Sequence, residues 1–74
     1  MSAGTAQRAA LLAALRSGPI SSIAARETLG ILHPPARIME LRRQGIEIET
    51  VWKIEYDSQG RRHRAGIYVL KVAA

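Results

Sequence analysis

The sequence predicts an α+β fold, a three-helix bundle with a C-terminal β-hairpin, and three observations carry that prediction. Two stretches before residue 30 repeat apolar residues at helical spacing and are closed by glycine. Residues 31–45 read as a short helix started by two prolines and stopped by Gly45. From Ile46 onward the apolar period changes to two and is interrupted by a single turn.

Met1 to Gly4 offer no side chains that would form a core and are expected to be disordered, which places the domain at residues 5–73. Thr5 is the expected N-cap of the first helix, whose apolar face is Leu11, Leu12 and Leu15 with alanines between, leaving Gln7, Arg8 and Arg16 in water. Gly18-Pro19 ends it, glycine tolerating a left-handed cap and proline being unable to continue. Ile20 precedes Ser21, an N-cap whose apolar neighbour can pack back on a second helix running to about Thr28. Ala24 or Ala25 and Leu29 point inward there, and Gly30 closes the element. In the third helix, expected over 34–44, Pro34 and Pro35 suit the first turn, and Pro34, Ile38, Leu41 and Gly45 form the inward stripe. The outward centre then falls on Ala36, Met39, Glu40 and Arg43, with Pro35 and Arg42 on one shoulder and Arg37 and Gln44 on the other.

Ile46, Ile48, Thr50, Trp52, Ile54 and Tyr56 occupy alternate positions of a strand with one apolar face. Asp57-Ser58-Gln59-Gly60 is a turn, with Asp at its first position and Gly where a positive φ is wanted. Gly66, Tyr68, Leu70 and Val72 of a second strand can face the first. A three-residue loop with a bulge at Gly60 sets Thr50 opposite Tyr68 and Ile48 opposite Leu70, whereas a four-residue loop shifts the register by one; the bulged register buries more.

Composition narrows the function classes. Seventy-four residues make one domain with a small core, which argues against a buried catalytic pocket, and the absence of cysteine removes disulfide and zinc-thiolate sites. The apolar run from Ala9 to Leu15 is too short to span a bilayer and is closed by Arg16, so a soluble cytoplasmic protein is expected, without membrane partner or small-molecule substrate. Eleven Lys and Arg stand against six Asp and Glu, for a net charge of +5, and nine of those cations are arginines. Arginine's planar fork suits phosphate oxygens and guanine edges, where a merely solubilising surface can use lysine equally well.

Three helices followed by a hairpin, in that order, describe a winged helix-turn-helix arrangement. The runs Ile20-Ser21-Ser22-Ile23-Ala24-Ala25-Arg26-Glu27, Leu29-Gly30-Ile31 and Ala36 to Gly45 resemble a family of small winged helix-turn-helix DNA-binding proteins found in phages and prophages. The resemblance covers roughly residues 7–70, its most specific part being Arg-Ile-x-x-Leu-Arg-x-x-Gly at 37–45, with Tyr-Val-Leu at 68–70 in support. It implies a regulator that binds DNA. One departure is Ala24, where members often carry a Glu three residues after the N-cap that closes a capping box.

Under that reading the third helix enters a major groove. Pro35 and Ala36 let the backbone approach base edges, Met39 offers apolar contact, and Arg37, Arg42 and Arg43 can reach guanine or phosphate. The wing, residues 57–64, projects Arg61, Arg62 and Arg64 toward flanking backbone or a minor groove, while Glu47, Glu49 and Glu55 lie along the first strand away from both basic loci. The expected function is therefore sequence-specific binding of double-stranded DNA by a small transcriptional regulator. Three alternatives remain open at this point: a merely solvated helix face, with Glu40 pairing to Arg37 and Arg43; a winged helix without DNA reading that uses Met39 and the hairpin on a protein partner or a second copy; and an architectural or excision-directing DNA-binding protein.

Other constellations carry little chemistry. His33 and His63 are far apart and no Cys accompanies them, so no metal or cofactor site is expected. Ser21 and Ser22 lack a neighbouring base, and no catalytic residue is expected. Trp52, Tyr56 and Tyr68 alternate on one face, which suits a cover over the helices better than an exposed stacking trio.

Overall fold

The computed structural model describes residues 2–71. The chain runs α1 (Ala3–Ser17), β1 (Ile20–Ser21), α2 (Ser22–Leu29), α3 (Pro34–Arg43), β2 (Ile48–Tyr56) and β3 (Arg62–Leu70). Val72, expected on the second strand, lies outside the described residues, as do Met1 and residue 73.

Helix α1 begins earlier than its sequence suggests. Ser2, not Thr5, is the N-cap, its hydroxyl accepting from the Thr5 amide at 3.2 Å. Thr5 instead lies inside the first turn, its hydroxyl bonded to Ser2 Oγ at 2.9 Å and accepting from Arg8 Nη2 at 3.2 Å. Ala3 and Gly4, expected to lack structure, are therefore helical, because a serine cap supplies the first turn with the partner it needs. At the other end, Gly18 has φ 155° and ψ −179° rather than a left-handed cap, so the chain leaves α1 extended and runs straight into β1.

Helix α2 starts as expected at Ser21, whose Oγ accepts from the Ala24 amide at 3.0 Å without help from a capping box. Between α2 and α3, the Ile31 amide donates back to the Ala25 carbonyl at 3.3 Å and the Ile31 side chain is fully buried. Helix α3 opens on its two prolines, with the His33 carbonyl accepting from the Ala36 and Arg37 amides. Pro34, Ile38 and Leu41 point inward as their spacing requires, while Gly45 is exposed.

The sheet has the order β1-β3-β2 and is antiparallel throughout. β1 pairs Ile20 with Tyr68 and Ser21 with Ile67, an addition that two residues after a proline did not announce. β2 and β3 hold the bulged register, with Ile48 opposite Leu70, Thr50 opposite Tyr68 and Tyr56 opposite Arg62. Gly60, at φ 78°, takes the bulge position, and its amide bonds to the Asp57 carbonyl at 2.9 Å.

Leu11, Leu15, Ala25, Ile31, Ile38, Leu41, Ile48 and Tyr68 form the core, with the three helices packed on one face of the sheet's base. Of the three hairpin aromatics only Tyr68 covers the helices, at 5% exposure; Trp52 and Tyr56 are 58% and 69% exposed. The reason is length: each strand of the hairpin has nine residues, and the outer half extends past the helical body.

Candidate nucleic-acid interface

Helix α3 presents Pro35, Ala36, Met39 and Arg43 to solvent, with Met39 53% exposed. Met39 and Arg43 are one helical turn apart and so share a face. Glu40, expected at the centre of that face, is drawn aside onto α1. Its Oε1 accepts from Arg8 Nη1 at 2.9 Å and lies 3.2 Å from Arg37 Nη1, so its charge is spent between two arginines and Arg43 is not its partner.

The arginines of α3 accordingly divide by role. Arg37 is largely enclosed, its Nε buried without a partner and its guanidinium seated against Gly4, where a Cβ would collide with Nη1. It ties α3 to α1. Arg42 donates from Nε and Nη2 to the Ile48 carbonyl at 3.0 and 2.8 Å, and from Nη2 to Thr50 Oγ1 at 2.8 Å, so it ties α3 to β2. Arg43 alone of the three makes neither kind of link.

In the hairpin, Arg61, Arg62 and Arg64 are exposed. Arg64 stacks over the Trp52 ring, 4.5 Å from its centroid. Trp52 sits opposite Gly66, and a Cβ at Gly66 would lie 3.4 Å from Trp52 Cζ3, so the glycine gives the indole room to lie across β3. A shallow groove between α3 and the hairpin is lined by Pro35, Ile38, Met39, Arg42, Thr50 and Trp52. Trp52 thus joins the exposed face of α3 to the wing. Its role was hidden in the sequence by an alternation that assigns it to the core; the signal that finds it is a strand too long for the helices beneath it.

Among the described residues the ion pairs are Arg8 with Glu40, Arg37 with Glu40, and His63 with Asp57. Arg43, Arg61, Arg62 and Arg64 therefore have no carboxylate partner there, and Glu49 lies on the opposite face of β2 from Thr50 and Trp52. The wing turn is organised by Asp57, whose Oδ1 accepts from the Gln59 and Arg61 amides at 2.9 Å each and whose Oδ2 is 2.8 Å from His63 Nε2. The bond to His63, then the Arg61 amide, holds the Asp57 carboxyl below its ordinary range.

Among the described residues no three His, Cys, Asp or Glu side chains cluster as metal ligands, and no helix is long and apolar enough to cross a membrane. No curated protein and no solved structure matches the chain. A family model described as a winged helix-turn-helix domain matches residues 6–73, which span α1 almost from its start through the whole of β3. With α2 and α3 joined by a tight turn and a long basic hairpin beside α3, the chain belongs to the winged helix-turn-helix domain family.

Proposed function

We propose that the domain binds double-stranded DNA sequence-specifically, with α3 in the major groove and the wing, residues 57–64, on adjacent backbone or in the minor groove. The carrying observation is that Arg43 on α3 and Arg61, Arg62 and Arg64 on the wing, each without a carboxylate partner among the described residues, stand on the two elements that border the groove Met39 and Trp52 share. Pro35, Ala36, Met39 and Arg43 meet base edges; Arg61, Arg62 and Arg64 meet phosphates. Arg37 and Arg42, expected to reach DNA themselves, act by fixing α3 between α1 and β2. The resemblance to phage and prophage proteins supports a small cytoplasmic transcriptional regulator as the role of this binding.

An NMR titration with duplex DNA tests the reading. The amides of residues 36–43 and 58–65 should both shift, and those of Glu47 and Glu49 should not. The exposure of Leu32 (69%) and Met39 favours a second reading, a protein-binding winged helix, under which duplex leaves both segments unmoved. A footprint confined to the wing would reduce the function to sequence-independent backbone binding.

A further inference from the structure

One edge of the sheet is open. β3 is central, so β2 has a strand on one side and none on the other among the described residues. The Lys71 amide bonds to the Glu47 carbonyl at 2.9 Å and the Asp57 amide to the Arg61 carbonyl at 3.0 Å, so the odd-numbered residues of β2 bond toward β3. The backbone groups of Ile48, Thr50, Trp52, Ile54 and Tyr56 consequently point to the open edge. Arg42 occupies the Ile48 carbonyl, which leaves Thr50 to Tyr56 usable. That segment has no proline and no break in register, and its Trp52, Ile54 and Tyr56 side chains are 58%, 44% and 69% exposed. Natural sheets usually shorten, bulge or cover such an edge.

We propose that this edge pairs with the same edge of a second copy of the chain, antiparallel about a two-fold axis at Ile54. Charge selects the register. An axis at Trp52 sets Glu49 against Glu55 of the second copy; axes at Lys53 and Glu55 set each residue against itself; an axis at Tyr56 sets Glu55 against Asp57. With the axis at Val51, Ile48 would have to give up its carbonyl, which Arg42 holds. With the axis at Ile54, Lys53 faces Glu55 twice, Trp52 faces Tyr56 twice, and Ile54 faces itself. About six backbone hydrogen bonds join the two strands between residues 52 and 56.

A dyad of this kind stands perpendicular to the sheet, so the two three-stranded sheets become one and the helices of both copies lie on the same face. Both α3 helices then face one way, as a DNA site with inverted repeats requires. The pairing itself does not depend on the DNA reading, and its test contains no DNA.

Sedimentation equilibrium of the full chain from about 1 µM to about 1 mM should show the mass rising from one chain to two. Lys53→Glu and Glu55→Lys each place like charges opposite one another twice, and each should weaken association by about tenfold or more. The double variant restores opposite charges and should associate within about threefold of the original chain. Circular dichroism on each variant checks the fold, and the double variant keeps the comparison valid where a single one unfolds. A single-chain mass at every concentration, association undiminished in both single variants, or a double variant no tighter than the singles would each overturn the proposal.

Discussion

The guanidinium of Arg42 grips the carbonyl of Ile48 with two donors, at 3.0 and 2.8 Å, and so fastens the last turn of α3 to the start of the hairpin. A residue that the sequence offers as a DNA contact is thereby a joint between the two elements proposed to hold DNA. Arg42→Lys should lose the paired geometry, since an ammonium cannot reproduce the fork, and Arg42→Ala should lose it entirely, at about 1–2 kcal/mol of stability. Urea unfolding measures the loss. Duplex affinity should fall for all sequences alike, and a change of preferred sequence would return Arg42 to the reading surface.

Ionic strength separates the holding of phosphates from the reading of bases. With Arg61, Arg62 and Arg64 on phosphates, log K against log salt should fall with a slope of about −3, and Arg61→Ala or Arg62→Ala should each reduce its magnitude by about 1. Met39→Ala and Arg43→Ala should instead change base preference, at about 1–3 kcal/mol for each base edge no longer read. Binding that ignores salt would contradict the assignment of the wing.

Trp52 is the single tryptophan of the chain and lies in the groove between α3 and the wing. Its fluorescence should change when duplex is added, following the same isotherm as the amide shifts. Because Trp52 is 58% exposed, Trp52→Ala should cost less stability than the ~3–5 kcal/mol of a fully buried tryptophan while weakening duplex binding. An emission spectrum unmoved at saturating duplex would take the groove out of the interface.

Acid should loosen the wing turn. The Asp57 carboxyl, normally titrating at 3.8, is lowered chiefly by its bond to His63, so the stabilisation it gives is complete above 3.8 and is lost as pH falls through the lowered value. The Gln59 and Arg61 amides, which donate to Asp57 Oδ1, report this directly in a titration from about pH 6 to about pH 2. Their transition should lie below 3.8, and Asp57→Asn should abolish it; a midpoint above 3.8 would contradict the cause given.

Elements with strong local chemistry were legible in the chain. Pro34-Pro35 with Gly45, Ser21 before α2, and Asp57 with Gly60 act within a few residues of themselves, and the hairpin register followed from the bulge that Gly60 allows. What escaped depends on long-range geometry. β1 exists because Ile20 and Ser21 meet Tyr68 and Ile67, residues far away in the chain. The partition of the arginines was equally hidden: Arg37, Arg42 and Arg43 look alike on a helix, and only the positions of Gly4, Glu40 and the Ile48 carbonyl decide which of them is tied to a neighbouring element. Trp52 was misjudged because alternation tells which face a residue takes but not where the helices beneath it end.

Ile31 occupies the elbow between α2 and α3 with its side chain fully buried and its amide bonded to Ala25. An elbow filled in this way cannot flex without opening a void in the core. The angle between the two helices is therefore set before any ligand arrives, and α3 is delivered as a rigid probe with no ordering cost at its base. Adaptation to a ligand's shape is left to the far end of the hairpin, where the strands have outrun their support.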